Sequence, residues 1–433
     1  MKIGFHTLVN GLRMVHAQVP DTQMTALDIT YDVGARNEDP DHTGWAHLLE
    51  HLMFEGTPRI PDYDARVQMA CGEDNAFTNN DFTSFYITVP SVNSETAFML
   101  EADRMAGITL DERSVQIQKQ VVIEEFKQRD LGQPYGDIQH LIRPLAYRVH
   151  PYRWPTIGIT PEHIERATPE AIRTFYNTWY RPSNAVLAVT GALSFEEAVT
   201  LTEKYFGVLK DPVDRPCSPL PIEPVQQRQR RKTVVRDVPM DMLVMAFHMG
   251  DRNSKDFYAC DVITDLLSNG HSSRLNQRLV KEQKMFNSID AYISGSADPG
   301  LLQIAGRLNP GVTLPDAEAA VWTELDQLKR IPVEIAELDK VRNRHESEQV
   351  FGQISYLNTA ISLAQLTLFD TTPEQEIARY RAVSAEEVLF TARHILTKKN
   401  SSVLWYRARA KASCAGNDQV IRASCAGNNQ VIK

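Results

Sequence analysis

A chain of 433 residues is too long for one ordinary hydrophobic core, so two or more domains are expected. Its hydrophobic fraction of 42% and charged fraction of 23% are those of a soluble globular protein. A formal charge of −9 argues against a nucleic-acid surface, which needs a basic face, and no apolar run approaches the roughly 18 residues that span a membrane.

In chain order, the opening "MKIGFHTLVNGLRMVHAQV" reads as strand and turn and lacks the layout of a signal peptide, so a cytoplasmic location is expected, a leader already removed being outside this reading. Residues 19–37, "VPDTQMTALDITYDVGARN", form an alternating, β-branched strand ending in Gly-x-Arg-Asn. The stretch 44–57, "GWAHLLEHLMFEGT", is a helix. Cys71 in "MACGED" closes a helical stretch and is read as a small buried hydrophobe. The five cysteines (71, 217, 260, 414 and 425) are irregularly spaced, which argues against a disulfide framework or a thiolate metal knuckle. Residues 81–90 alternate as a strand, 91–108 and 114–130 read as helices, and 183–191 reads as a buried strand. Strands and helices mixed without strict βαβ alternation predict an α+β fold, with helices on a mainly antiparallel sheet.

Residues 211–232 pack five prolines before the basic run "RQRRK" and read as a linker with a solvated cationic face. Beyond it, "VPMDMLVMAFHMGDRN" (238–253) repeats the strand of residues 19–37, and "YACDVITDLLSNG" stands where the first half has "WAHLLEHLMFEG". The chain is therefore read as two duplicated lobes, 1–210 and 233–411, around the linker 211–232. A tandem eleven-residue repeat at 412–433 holds no core.

His47, Glu50 and His51 sit at i, i+3 and i+4, on one face of the first helix. Two imidazoles one turn apart can both reach a zinc ion, and the carboxylate beside them can take a proton from a water the ion acidifies. Aligning Gly56 with Gly270 sets Asp261, Thr264 and Asp265 opposite these three, so the His-Glu-His set survives in one copy only. A structural role would have had equal reason to persist in both, and the asymmetry favours chemistry. A third ligand must come from elsewhere.

His-x-x-Glu-His is the inverzincin order, and "HLLEHLMFEGT" resembles the zinc helix of the pitrilysin, insulinase and mitochondrial processing peptidase family. "QKQVVIEE" (118–125) matches the family's downstream pattern, which implies Glu125 as third ligand; periodicity does not separate it from Glu124. Where the family commonly has a glutamate behind the ligands, this chain has Gln118. "NAFT" resembles the family's Asn-Ala-x-Thr segment, which implies that Asn75, Ala76 and Phe77 lie on a sheet edge where a peptide adds as a strand. The resemblance further implies a zinc-dependent endopeptidase with one zinc per chain, acting on peptides or unfolded segments in a chamber. Active single-chain members carry an arginine and, seven residues on, a tyrosine in the second half; those positions fall here on Val280 and Asn287, or on Leu279 and Phe286. The implied arrangement is a heterodimer with a homologous subunit supplying that pair. Two alternatives stay open: a homodimeric peptidase using a residue such as Arg274 or Tyr292, and a non-catalytic peptide-binding or assembly subunit.

Overall fold

The computed structural model describes residues 2–211, 219–294 and 297–409. The first half forms a six-stranded sheet from β1 (Ile3–Thr7), β2 (Arg13–Gln18), β3 (Met24–Tyr31), β4 (Glu73–Thr78), β5 (Thr83–Pro90) and β6 (Ala185–Gly191), in the order β1-β2-β6-β3-β5-β4. The second half forms a five-stranded sheet from β7 (Arg230–Arg236), β8 (Met242–His248), β9 (Phe286–Ser294), β10 (Leu301–Leu308) and β11 (Ser401–Ala408), in the order β7-β11-β8-β10-β9. With β1 set aside, the two sheets match strand for strand. Each has one parallel pair, β2 with β6 and β7 with β11, and is otherwise antiparallel. The fold is α+β with two homologous lobes.

Helices α1 (Trp45–Leu52), α2 (Tyr63–Met69), α3 (Ser94–Ala106) and α4 (Glu112–Phe126) belong to the first lobe. Their apolar faces meet Leu27, Ile29, Phe85, Ile87, Leu187 and Val189 in its core. The other face of that sheet is lined by Val15, Ala17, Ala26, Val186 and Ala188. It is covered from the second half, by Ala360, Leu363 and Ala364 of the helix Tyr356–Leu368. The second sheet is treated reciprocally: α5 (Ile138–Ala146) of the first half lays Leu141, Ile142 and Ala146 against Val244, Ala246, Leu404 and Tyr406. Alanines on both sides let helix and sheet approach closely. The lobes are duplicated, yet each finishes the other's core.

Three expectations change. The basic run is solvated only in part and is not all linker: Arg228, Arg231 and Lys232 are exposed, but the chain is already in β7 at Arg230, Arg231 makes two hydrogen bonds to the Glu318 carboxylate, and the Arg230 guanidinium donates to the backbone carbonyls of Leu145 and Ala146. Cys71 is exposed, because α2 ends at Met69 and Cys71 turns the chain toward β4 with φ 53°. Among the described residues the buried free cysteine is Cys260. The predicted helix 114–130 is α-helical to Phe126 and then makes a π turn over Lys127–Leu131. The repeat at 412–433 lies outside the described residues. No helix among the described residues is long and apolar enough to cross a membrane.

Candidate metal centre

Helix α1 starts at Gly44, whose φ of 88° and contact distance of 2.7 Å from a built Cβ to the Ile157 carbonyl leave no room for a side chain. The buried Glu38 carboxylate caps the helix, accepting from the N–H groups of Gly44 (2.9 Å) and Ala46 (2.8 Å). Leu48, Leu49 and Leu52 are fully buried and fix the helix's rotation, so that His47 and His51 share the opposite face with ring centroids 4.9 Å apart and planes at 89°.

Glu125, near the C-terminal end of α4, faces both rings. Its Oε2 lies 3.6 Å from His47 Nε2 and 3.5 Å from His51 Nε2, and all the donor atoms lie within 4.8 Å of one another. These separations are longer than a good hydrogen bond. They are close to the edge of about 3.3–3.4 Å between ligand atoms that bind one zinc tetrahedrally at 2.0–2.1 Å. Among the described residues this is the one cluster of three such donors. Glu124 instead points to solvent and pairs with Lys127 at 2.7 Å, which separates the two adjacent glutamates.

The electrostatics suit a cation. Burial, followed by the neighbouring His51, lowers the His47 imidazole to about 4, so its ring is neutral and a lone pair is available. Contact with His51, aided by a 2.7 Å hydrogen bond from Arg129 to Oε1, holds Glu125 ionised with a pKa of about 2 against the opposing effect of burial. His47 Nδ1 is buried and has no hydrogen-bond partner, so the side of the ring facing Glu125 is the one with a polar neighbour. Glu50 sits beside the pair; burial raises its pKa, while a 2.5 Å hydrogen bond from Thr78 Oγ1 to Oε2 pulls the other way.

Thr78 ends β4, the edge strand, which pairs with β5 on one side only. Asn75, Ala76 and Phe77 therefore lie on the sheet edge next to α1. Asn75 Oδ1 accepts from the Ala76 N–H at 2.8 Å, Ala76 packs on the first core, and the Phe77 ring meets Phe82. Gln118 is not hydrogen-bonded to a ligand: its amide donates to Glu55 Oε1, because at that turn of α4 it faces the end of α1. Glu38, Thr78 and Arg129 were missed from sequence. Thr78 stands inside the quoted Asn-Ala-x-Thr segment and was the one recoverable signal.

The second lobe has no such centre among the described residues. Asp265 accepts from the Tyr380 hydroxyl at 2.5 Å, burial raises Asp261 to about 7, and Thr264 is buried. Leu279 and Phe286 are fully buried and Val280 packs on the second core, leaving Asn287 exposed on β9. Arg274 is committed to Glu337 through hydrogen bonds of 3.0 and 2.7 Å. Tyr292 is 39% exposed, with its hydroxyl 3.5 Å from Gln303.

The family model described as insulinase (peptidase family M16) matches residues 13–157, and that of the peptidase M16 inactive domain matches residues 166–344. Zinc protease PqqE of Helicobacter pylori is 30% identical over 348 residues, covering 79% of this chain and 78% of that protein. An uncharacterized zinc protease of Streptomyces coelicolor is 26% identical, over 91% and 87%. The crystal structure of a protease from Helicobacter pylori superposes with a TM-score of 0.88 at 26% identity, covering 94% of this chain and 99% of that one. In fold, the chain also matches the periplasmic protease PqqL from Escherichia coli with a TM-score of 0.77 at 18% identity, spanning 94% of its own length but 47% of that chain. With the inverted histidine helix on one lobe and its degenerate copy on the other, the chain belongs to the pitrilysin/insulinase family of peptidases, M16.

Proposed function

We propose that this chain is a zinc-dependent endopeptidase subunit that hydrolyses peptides or unfolded segments, with one zinc held by His47, His51 and Glu125. The observation that carries the reading is the convergence of two imidazoles, that of His47 held neutral, and an ionised carboxylate at ligand spacing, with a second, partly buried carboxylate, Glu50, beside them and an open strand edge alongside. Bound there, zinc would supply Lewis acidity, making water a usable nucleophile at neutral pH and polarising a carbonyl.

The chain's own residues do the rest. Thr78 engages Glu50 Oε2, so Oε1 is the oxygen left to accept a proton from water and return it to the leaving amine. The main-chain groups of β4 along Asn75–Phe77 hydrogen-bond an extended peptide as an added strand, which holds the scissile bond over the ligands. Arg129 occupies Glu125 Oε1 and leaves Oε2 to the metal. The second lobe offers no free arginine and tyrosine in the expected register, and the loss of such an oxyanion stabiliser costs on the order of a hundredfold. A partner of similar fold supplying the pair, and closing a chamber over the site, answers that deficit. The likeness in fold to a protein about twice this length, PqqL, supports a two-unit assembly. The intact donor set argues against a non-catalytic assembly subunit.

The test is Glu50→Gln, assayed with the candidate partner present. The variant is expected to retain one zinc per chain and lose peptide hydrolysis; a variant that still cleaves would refute the role of Glu50.

A further inference from the structure

A cavity of about 740 Å³ opens directly from Glu50 and His51 between α1, α2, α4 and the start of β4. Its apolar walls are Phe54 and Val67, and Gln118 closes one side. Its charged lining, apart from Glu50 and His51, consists of Asp64, Glu73 and Asp74, with no lysine or arginine. Glu55 adds a further carboxylate behind Gln118.

Elsewhere on this surface carboxylates find cations: Glu95 with Lys204, Glu124 with Lys127, Asp137 with Arg236. Asp64, Glu73, Asp74 and Glu55 form no ion pair among the described residues. Arg104, whose charge partly offsets the effect of burial on Asp74, lies fully buried behind the wall, where it is engaged by two hydrogen bonds to Glu101 and stacks over Phe54, Tyr63 and Phe85. It cannot enter the cavity. Asp74 is partly withdrawn from water and is pushed up to about 6 by burial, so the pocket bears a negative charge that a guest cation would relieve.

Resting on the peptidase reading above, we infer that this cavity is a substrate subsite for a lysine or arginine side chain next to the scissile bond, with Asp64 and Asp74 as the specificity-determining residues. The geometry suits such a guest. A peptide added along β4 passes the mouth of the cavity, its aliphatic stem lies against Phe54 and Val67, and its charged end reaches the carboxylates. Partly solvated ion pairs are individually weak, so the two carboxylates together give on the order of tenfold discrimination, weakening as salt rises.

The test uses the full chain, zinc-loaded and with its partner present. Matched fluorogenic peptides carry lysine, arginine, norleucine or glutamate at each of the positions flanking the cleaved bond. At one flanking position lysine and arginine are expected to exceed norleucine about tenfold in kcat/KM at low salt, with glutamate poorest. Asp64→Asn together with Asp74→Asn should bring the lysine-to-norleucine ratio close to unity. Asp64→Asn alone, at an exposed site, should lower it part-way if the double variant fails to fold. Equal rates for lysine and norleucine at every position, or a ratio untouched by the variants, would overturn the subsite while leaving the peptidase reading intact. If no peptide is cleaved, the peptidase reading fails, and the subsite is judged on anisotropy of the same labelled peptides bound to Glu50→Gln. A lysine preference abolished by Asp64→Asn upholds it, and equal affinities overturn it.

Discussion

Replacing Thr78 with valine keeps a β-branched side chain in β4 and deletes one hydroxyl. That hydroxyl donates to Glu50 Oε2 at 2.5 Å and lies 3.3 Å from Thr83 Oγ1. A hydrogen bond to a charged group contributes about 1.5–3 kcal/mol; the site is only partly buried, so the lower end applies, equivalent to roughly a tenfold loss in kcat/KM. The sign of the pH effect follows from the balance at Glu50. Burial raises its pKa and the Thr78 bond lowers it. Without that bond, burial acts unopposed by it, and more of the carboxyl is protonated at a given pH. The acid side of the kcat/KM profile should therefore move to higher pH, with part of the loss recovered as pH rises. Thr78→Ser retains the donor and should keep most of the activity, and zinc content should not change in either variant. Steady-state kinetics across pH with zinc quantified on the same samples provide the assay. A Thr78→Val enzyme with the wild-type rate and profile, or one that fails only because zinc is lost, would refute this account of Glu50.

Two further outcomes test the centre and the scaffold. In chelator-stripped protein, folded His47 resists a proton until about pH 4, whereas the unfolded imidazole takes one near its ordinary value of 6.5. The unfolded state therefore binds the extra proton in that window. Stability should decline as pH falls from about 6.5 to 4, and His47→Gln should flatten this part of the melting-temperature profile; identical slopes would contradict the reading. Leu363, buried where the helix Tyr356–Leu368 crosses onto the first sheet, should cost about 2–5 kcal/mol on truncation to alanine. The variant should still melt in one transition, since the lobes share their cores; two separated transitions would contradict the exchange.

The histidine helix was legible in the sequence because its information is local. Spacing alone puts His47, Glu50 and His51 on one face, and the buried leucines confirm which face turns inward. Glu125 was reached only through resemblance. The choice between it and Glu124 depends on the rotation of α4, which is set by Val122 and Ile123 packing inward while Val121 stays exposed. Contacts spanning distant segments were out of reach: Thr78 lies 28 residues from Glu50, and nothing between them announces the bond. The exchange of α5 and the helix Tyr356–Leu368 was hidden for a related reason. An amphipathic stripe shows that a helix buries one face, but not which of two similar sheets receives it. The pairing of Arg230 and Arg231 was hidden because their acceptors, the carbonyls of Leu145 and Ala146 and the Glu318 carboxylate, lie 84 to 87 residues away.

Zinc K-edge X-ray absorption on the zinc-loaded chain, compared with Glu125→Gln, bears most directly on the claim that three side chains converge on one ion. The account predicts a first shell of two imidazole nitrogens and light oxygen donors at about 2.0–2.2 Å, with affinity falling sharply in the variant. A spectrum without imidazole scattering, or an affinity indifferent to Glu125, would contradict it.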